Sequence, residues 1–535
     1  MSVKTLTLST ATAAVTFVAL ALLTGCGSLA SVVTYHYDNY RSGWNRNETT
    51  LTSTNVASSS FGQLFDVSLD DQVDTQPLIV PVVNVTVGPH QGAHNVAYVA
   101  TENNTIYMID AVKGAILFSK NFGPPVPTPQ NCNNNGPNVG IDGTPVIDEK
   151  ALTMYVVTYT LESGQPMYRL HALDLGSLAE KVPNVVVSAS HLLSDGHTVF
   201  NFQAAYQRQR PGLLEANGNV YAAFGSFCDN GGSHSRGWVL GWNAATLAPL
   251  AANQMNDTQV SGSGRFLSSV WMSGSGIAAD NSGNLYFVTG NSDQTYDGAS
   301  DIQESVVKES PNLNTVLSLF TPSDQPALDG ADLDYGSGGV LLLPKTPSAA
   351  ASAAAAAGKK GNLYLLDLGN LGGKSATGIG GTPVSVGGCW CAQSYFSDGT
   401  VHIVSSGGSN AILWNVQTSP SLSLIQKATS GPIGGSQDPG FFTSVSSNGA
   451  GASSDPIIWA VSRPDTPGSA SSPGPIGLWA FKGQPTGSAL PQLFHATAGG
   501  WFTPGNNANA NIVPVVANGS VFVASYKQLR IFGLH

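Results

Sequence analysis

The chain has 535 residues, of which only 10% are charged, and 33 acidic against 22 basic side chains give a formal charge of −11. An acidic chain without a basic run excludes nucleic acid as an expected partner. Glycine is abundant at 61 residues, so the composition predicts a turn-rich all-β protein rather than a helical one.

The first element is a targeting segment. Lys4 supplies a positive start, and Ala11 to Leu23 is an apolar run too short to span a bilayer as a mature helix. It ends in Leu23-Thr24-Gly25-Cys26, which resembles the bacterial lipoprotein signal. The resemblance implies that residues 1–25 are removed and that Cys26 is acylated, anchoring the mature chain to a membrane. Gly27 and Ser28 follow, without the Asp that marks inner-membrane retention in that family. This implies an extracytoplasmic chain on the outer membrane, facing the periplasm. Residues 26–60 are then an anchored entry segment, and 61–535 the folded domain.

A short pattern recurs after that point: a turn residue, then alternating aliphatic and aromatic side chains. It occurs at Val96–Ala100, Met154–Val157, Asn219–Ala222, Asn284–Val288, Thr400–Val404, Ile458–Val461 and Ser520–Ala524. A second strand type follows many of these, at Ile106–Asp110, Leu170–Asp174, Trp238–Asn243, Leu363–Asp367, Ile412–Asn415, Leu478–Phe481 and Leu529–Phe532. Merging the two sets gives eight units. In the fifth, the first of the two strands falls in the run Ala349 to Ala357. Alanine is a poor strand former, so this run reads as a weak strand or an inserted loop.

Repeated sheets bury both faces by stacking around an axis, so the expected fold is a single eight-bladed β-propeller of four-stranded antiparallel blades. A β-sandwich array is the competing architecture. The last unit shows three strands only. Phe61–Val67 precedes the first complete unit as a spare strand, and is predicted to join the last blade and close the ring.

Ile109-Asp110-Ala111-Val112-Lys113-Gly114 through Phe118 resembles the quinoprotein-type propeller repeat, in which a strand ends in Asp-Ala and a turn reaches Gly. Asn243–Leu247 repeats the turn less closely. The opening Tyr37–Gly43 and Asn47–Thr52 resemble the entry segment of PQQ-binding-like propeller proteins. The resemblance implies two functions. One is a binding or scaffold module with an envelope protein partner, similar to the lipoprotein that aids outer-membrane β-barrel assembly. The other is a PQQ-dependent dehydrogenase of periplasmic alcohols or sugars.

Loops entering the inner strands and loops after the second strands share one propeller face. Asp142, Arg208, Arg210, His234, Trp271, Asn291, Asp332 and Asp334 map there and form the candidate ligand face. A quinone enzyme needs a flat slot, a calcium ion on oxygen ligands and a carboxylate base. Trp271 is the candidate floor, and Asp142, Asn291, Asp332 and Asp334 the candidate oxygens; Asp329, Asp332 and Asp334 form a second, structural calcium candidate. The two adjacent cysteines of the quinoprotein alcohol dehydrogenases are replaced by Cys389-Trp390-Cys391, and no Cys-x-x-Cys-His haem motif occurs. Cys132, Cys228, Cys389 and Cys391 are disulfide candidates, with Cys132 and Cys228 on the same loop face and Cys389 with Cys391 forming a tight ring. His234 and His402 lack zinc-ligand spacing. Trp390 and Trp501 are the aromatics that sugar binding would use. An enzyme is expected to gather Trp271, Arg208 or Arg210 and at least two carboxylates at one central cavity. A scaffold is expected to show a wide or filled channel and an exposed apolar patch.

Overall fold

Strands such as Asn219–Ser226 and Leu285–Val288 are buried along nearly their whole length, so both faces of their sheets are covered. That is the condition of a sheet stacked between two others. The computed structural model describes residues 1, 29–134, 136–344, 352–419, 421–434, 439–466, 468–504 and 511–535; Cys26 and its processing site lie outside them.

Eight antiparallel sheets follow one another as an eight-bladed propeller. Given from the inner strand outward, blade 1 is Leu78–Val85, Gly92–Ala100, Thr105–Asp110 and Ile116–Asn121. Blade 2 is Val146–Asp148, Thr153–Glu162, Gln165–Asp174 and Val185–Val186. Blade 3 has a divided inner strand, Gln207–Gln209 and Leu214–Ala216, before Asn219–Ser226, Trp238–Asn243 and Gln254–Met255. Blade 4 is Ala278–Ala279, Leu285–Val288, Val306–Glu309 and Val316–Pro322, with Gly373–Ser375 added in parallel at its outer edge. Blade 5 is Val340–Leu343, Ala353–Ala356, Asn362–Asp367 and Val384–Ser385. Blade 6 is Ser394–Ser397, Val401–Ser405, Ile412–Gln417 and Ser423–Thr429. Blade 7 is Phe442–Ser446, Ile457–Val461, Ser472–Lys482 and Gln492–Trp501.

Blade 8 closes the ring. Val515–Ala517, Ser520–Ser525 and Gln528–Leu534 come from the end of the chain, and Phe61–Ser68 supplies the outer strand, from Phe61 opposite Leu534 to Ser68 opposite Gln528. Phe61 packs edge-on to Phe494 at 4.8 Å, joining blades 7 and 8. The alanine run does form a strand: Ala353–Ala356 pairs Leu341 with Ala355 and Ala355 with Leu365. Small side chains there fit between the large ones of neighbouring blades, so packing overrides the weak propensity.

Two local expectations are corrected. Arg208 does not precede an inner strand but lies within one, because Gln207–Gln209 pairs with Phe224–Ser226 before the chain bulges out and returns at Leu214. Trp501 is fully buried, which removes it as an exposed sugar platform.

Residues 32–45 are built into the ring as a hub under the channel, on the face opposite the candidate ligand face, and Leu51 and Val56 then pack on blades 7 and 8. Val32 pairs with Ile79 of blade 1, and the Val33 carbonyl accepts from Ile147 of blade 2. The carbonyls of Asn39, Tyr40, Ser42 and Gly43 accept in turn from Ala279, Leu342, Tyr395 and Val445 of blades 4 to 7. Asn45 donates to Val516 of blade 8 at 3.0 Å. At the centre, buried Arg41 donates to the Leu213 carbonyl of blade 3, to Ile277 before blade 4, and to Thr34 and the Tyr35 carbonyl of the hub. Glu48, 1% exposed, accepts from the backbone of Thr50, Leu51 and Gly519.

Removing the Arg41 guanidinium strips donors from buried carbonyls, at roughly 1–3 kcal/mol each. Arg41→Ala is therefore expected to lower the thermal unfolding midpoint by several degrees. Arg46→Ala, at an exposed neighbour, should leave it nearly unchanged; calorimetry of the two variants checks this.

Candidate functional site

On the face opposite the hub, loops of blades 2 to 6 enclose a cavity of ≈ 320 Å³. Arg208 and Arg210 reach it from the bulged inner strand of blade 3, Ser226 from the end of that blade's second strand, and Cys228 and Asp229 from the loop that follows. Trp271 enters ahead of blade 4, Asp332 and Asp334 ahead of blade 5, and Trp390 ahead of blade 6. Lys359, which follows the second strand of blade 5, completes the wall.

Lys359 organises the far side. Its ammonium lies 2.9 Å from Asp332 Oδ1 and 3.1 Å from Asp334 Oδ2. It also stands 5.6 Å from the centre of the Trp271 ring and 5.3 Å from that of Trp390. Burial alone would lower the lysine, but the two carboxylates hold it above its usual value. Asp334 is 3% exposed, and its Oδ1 has no hydrogen-bond partner. Burial pushes its carboxyl up to about 6 against the pull of Lys359.

Arg208 organises the near side. Its Nε donates to Asp142 Oδ2 at 2.6 Å, while its Nη2 has no partner. Burial would lower this guanidinium, yet Asp142, Glu102 and Asp74 hold it above its ordinary value. Burial and the Arg208 charge lower Arg210.

The loops carry non-glycine residues at positive φ, including Cys228 at 49°, Asp229 at 55°, Ser273 at 51°, Glu304 at 51° and Asp332 at 53°. Such conformations cost on the order of 1–3 kcal/mol each and concentrate where a site must be held open. Gly336 serves close approach: a Cβ there would stand 2.4 Å from the Gly290 nitrogen, so only glycine lets the blade 5 loop lie against blade 4.

Both disulfides form, Cys132 with Cys228 and Cys389 with Cys391. The first ties the loop ahead of blade 2 to the cavity wall of blade 3. The second buries both cysteines and leaves Trp390, between them, at the cavity.

Of the sequence candidates, Arg208, Arg210, Trp271, Asp332 and Asp334 meet at the cavity, and Asp142 stands behind Arg208. His234 is exposed, stacked on Tyr206 at 4.8 Å, and does not line the cavity. Asn291 is also off the cavity, its carbonyl accepting from Ser268. Asp329 turns to the Ser292 backbone and Gln325 rather than to Asp332 and Asp334. The sequence reading missed Lys359, and did not place Trp390 with Trp271. Lysine is rare in this chain, and the pair Lys359-Lys360 closing the alanine run was the available signal.

The chain matches no family model, and no curated protein matches it in sequence. Solved structures do resemble it. The quinohemoprotein alcohol dehydrogenase of Comamonas testosteroni aligns with a TM-score of 0.57 at 12% identity, over 94% of this chain and 80% of that one. A quinohemoprotein alcohol dehydrogenase of Pseudomonas putida HK5 gives 0.55 at 14% identity, with the same shares of each chain. BamB of Moraxella catarrhalis gives 0.47 at 12% identity, over 89% of this chain and all of that one. The likeness is one of fold.

Beside the cavity, burial raises a further group of carboxyls: Glu304, Asp301 to about 6, and Asp329 and Asp257 to about 7. An acid raised in the folded state binds more protons there than when unfolded, so stability falls as pH rises from its unfolded to its folded value. With Asp334 at about 6, that window runs from the ordinary carboxylate range near 4 up to about 7. The melting midpoint should therefore be higher at pH 5 than at pH 7.5. Asp301→Asn should flatten the slope between pH 4 and 6, by at most about 1.4 kcal/mol per pH unit.

Proposed function

We propose that this chain is an exported, lipid-anchored envelope protein whose propeller binds a small, flat, multiply charged organic anion in the cavity. The observation that carries this reading is the convergence of Arg208, Arg210 and Lys359 with Trp271 and Trp390 around one space. Its size is near the lower bound of small-molecule pockets, about 300 Å³. Guanidinium groups favour carboxylates, and indole faces favour flat rings. The unpartnered Arg208 Nη2 is a donor without its acceptor. The two disulfides support an oxidising compartment.

Pyrroloquinoline quinone (PQQ), the cofactor implied by the repeat, is flat and carries several carboxylates, so these residues fit it. Arg208, Arg210 and Lys359 would hold the carboxylates and Trp271 the ring; bound there, the quinone would supply hydride-accepting chemistry. Calcium fits this cavity less well. Asp332 and Asp334 are engaged by Lys359, and Asp142 by Arg208.

A second reading, dehydrogenation of a periplasmic alcohol or sugar, is favoured by Asp334. Its buried, unpartnered Oδ1 would accept a proton from a substrate hydroxyl near neutral pH. The scaffold reading has weaker support, because the exposed large apolar side chains are spread around the ring, with Leu192 and Val199 the pair that meets across one hairpin.

Thermal unfolding with PQQ tests the reading. At a hundredfold its dissociation constant the ligand should add about 2.7 kcal/mol of stability. The midpoint should rise without added calcium, and Trp271→Ala should weaken binding at least tenfold. No shift at saturating PQQ would reject this ligand. Turnover of an alcohol by the loaded protein, lost in Asp334→Asn, would support the dehydrogenase reading.

A further inference from the structure

Behind Arg208, three carboxylates from three separate loops meet. Asp74 leads into blade 1, Glu102 follows its second strand, and Asp142 leads into blade 2. Their ligand atoms lie within 4.8 Å of one another, and among the described residues no other three acidic, His or Cys side chains do so. None of the three lines the cavity.

Glu102 and Asp142 each hold one oxygen in a fixed hydrogen bond and leave the other open. Glu102 and Asp142 are 1% and 2% exposed, yet Glu102 Oε1 and Asp142 Oδ1 have no hydrogen-bond partner. The other oxygen of each is taken. Glu102 Oε2 accepts from the Gly140 backbone at 2.6 Å, and Asp142 Oδ2 from Arg208 at 2.6 Å. Gly140 is held close for this purpose, since a Cβ there would stand 2.3 Å from the Glu102 carbonyl oxygen. A buried carboxylate oxygen without a partner is costly, and a cation is the group that satisfies several at once.

We propose that Asp74, Glu102 and Asp142 form a site for a hard divalent cation of the size of calcium, beside the ligand cavity and separate from it. Oxygens that ligate calcium stand about 2.3–2.6 Å from the ion, so any two lie at most about 5 Å apart, a limit these three meet. An all-carboxylate set, without His or Cys, selects calcium, magnesium or manganese over softer metals. Magnesium ligands at about 2.0–2.1 Å span a shorter distance and are held more rigidly. Bound there, the ion fixes Asp142, and through it the Arg208 that lines the cavity.

The test needs no organic ligand, so its outcome is independent of the cavity reading. Calcium chloride is titrated calorimetrically into the chelator-stripped full chain, and the melting midpoint is read with and without the metal. One equivalent should bind and raise the midpoint. Glu102→Gln should weaken binding at least tenfold, while melting no lower than the parent in chelator. Absence of binding heat together with an unmoved midpoint overturns the proposal. So does calcium binding that Glu102→Gln leaves at parental affinity, because the ion would then sit elsewhere.

Discussion

A propeller has no single core, and its inner strands present unpaired backbone groups to a central channel. Those groups need partners, and the ring needs a closure that neighbouring blades alone do not provide. Here one stretch of chain meets both needs. Between Val32 and Asn45 the backbone visits the inner strands almost in ring order, and Phe61–Ser68 then completes the last blade. Arg41 stands at the centre of that hub and reaches the inner edge of blades 3 and 4. The consequence is directional. One end of the channel is filled by the chain's own segment, and the charged cavity of ≈ 320 Å³ lies at the other.

That other end is where the chain spends its scarce charge. Only 10% of its residues are charged, yet Arg208, Arg210, Lys359, Asp142, Asp334, Glu102 and Glu304 gather there, with little or no exposure of most of them. Buried ion pairs rarely repay their desolvation, and a hydrophobic filling would stabilise the blades more. Left-handed backbone at Cys228, Asp229 and Asp332 adds a further cost in the same loops. Buried charge and left-handed backbone gathered around one cavity are features that a site kept for binding or chemistry carries.

Much of the ring was legible because second and third strands of most blades are apolar on both faces and bounded by Asp, Asn or Gly. The missing strand of the last unit then pointed to Phe61–Val67. Inner strands were harder to read: Ala278–Ala279 is two residues, and the inner strand of blade 3 is divided around Arg210. The third strand of blade 4, Val306–Glu309, was missed, since a long loop parts it from Leu285–Val288. The hub was invisible for a different reason. Its contacts are mostly backbone hydrogen bonds, which no side-chain pattern encodes. Face mapping found Arg208, Arg210, Trp271, Asp332 and Asp334. It could not find Lys359 or Glu102, whose roles depend on neighbours far away in sequence.

The Cys389-Trp390-Cys391 ring sets one indole of the cavity on a constrained backbone. Both sulfurs are buried, and the flanking backbone is held from three sides. Ser337 donates to the Cys389 carbonyl at 2.7 Å, Arg463 to the Trp390 carbonyl at 2.7 Å, and the Trp390 nitrogen to Pro439 at 3.1 Å. An indole on such a ring loses little freedom when a ligand arrives. Ordering costs met during folding are not met again on binding, so a rigid cavity gains affinity without new contacts. The Cys132–Cys228 bridge acts in the same sense on the opposite wall. Rigidity also sharpens selection. Walls that cannot repack accept a ligand by its thickness and by the spacing of its charges, and a flat anion whose carboxylates match Arg208, Arg210 and Lys359 meets both conditions.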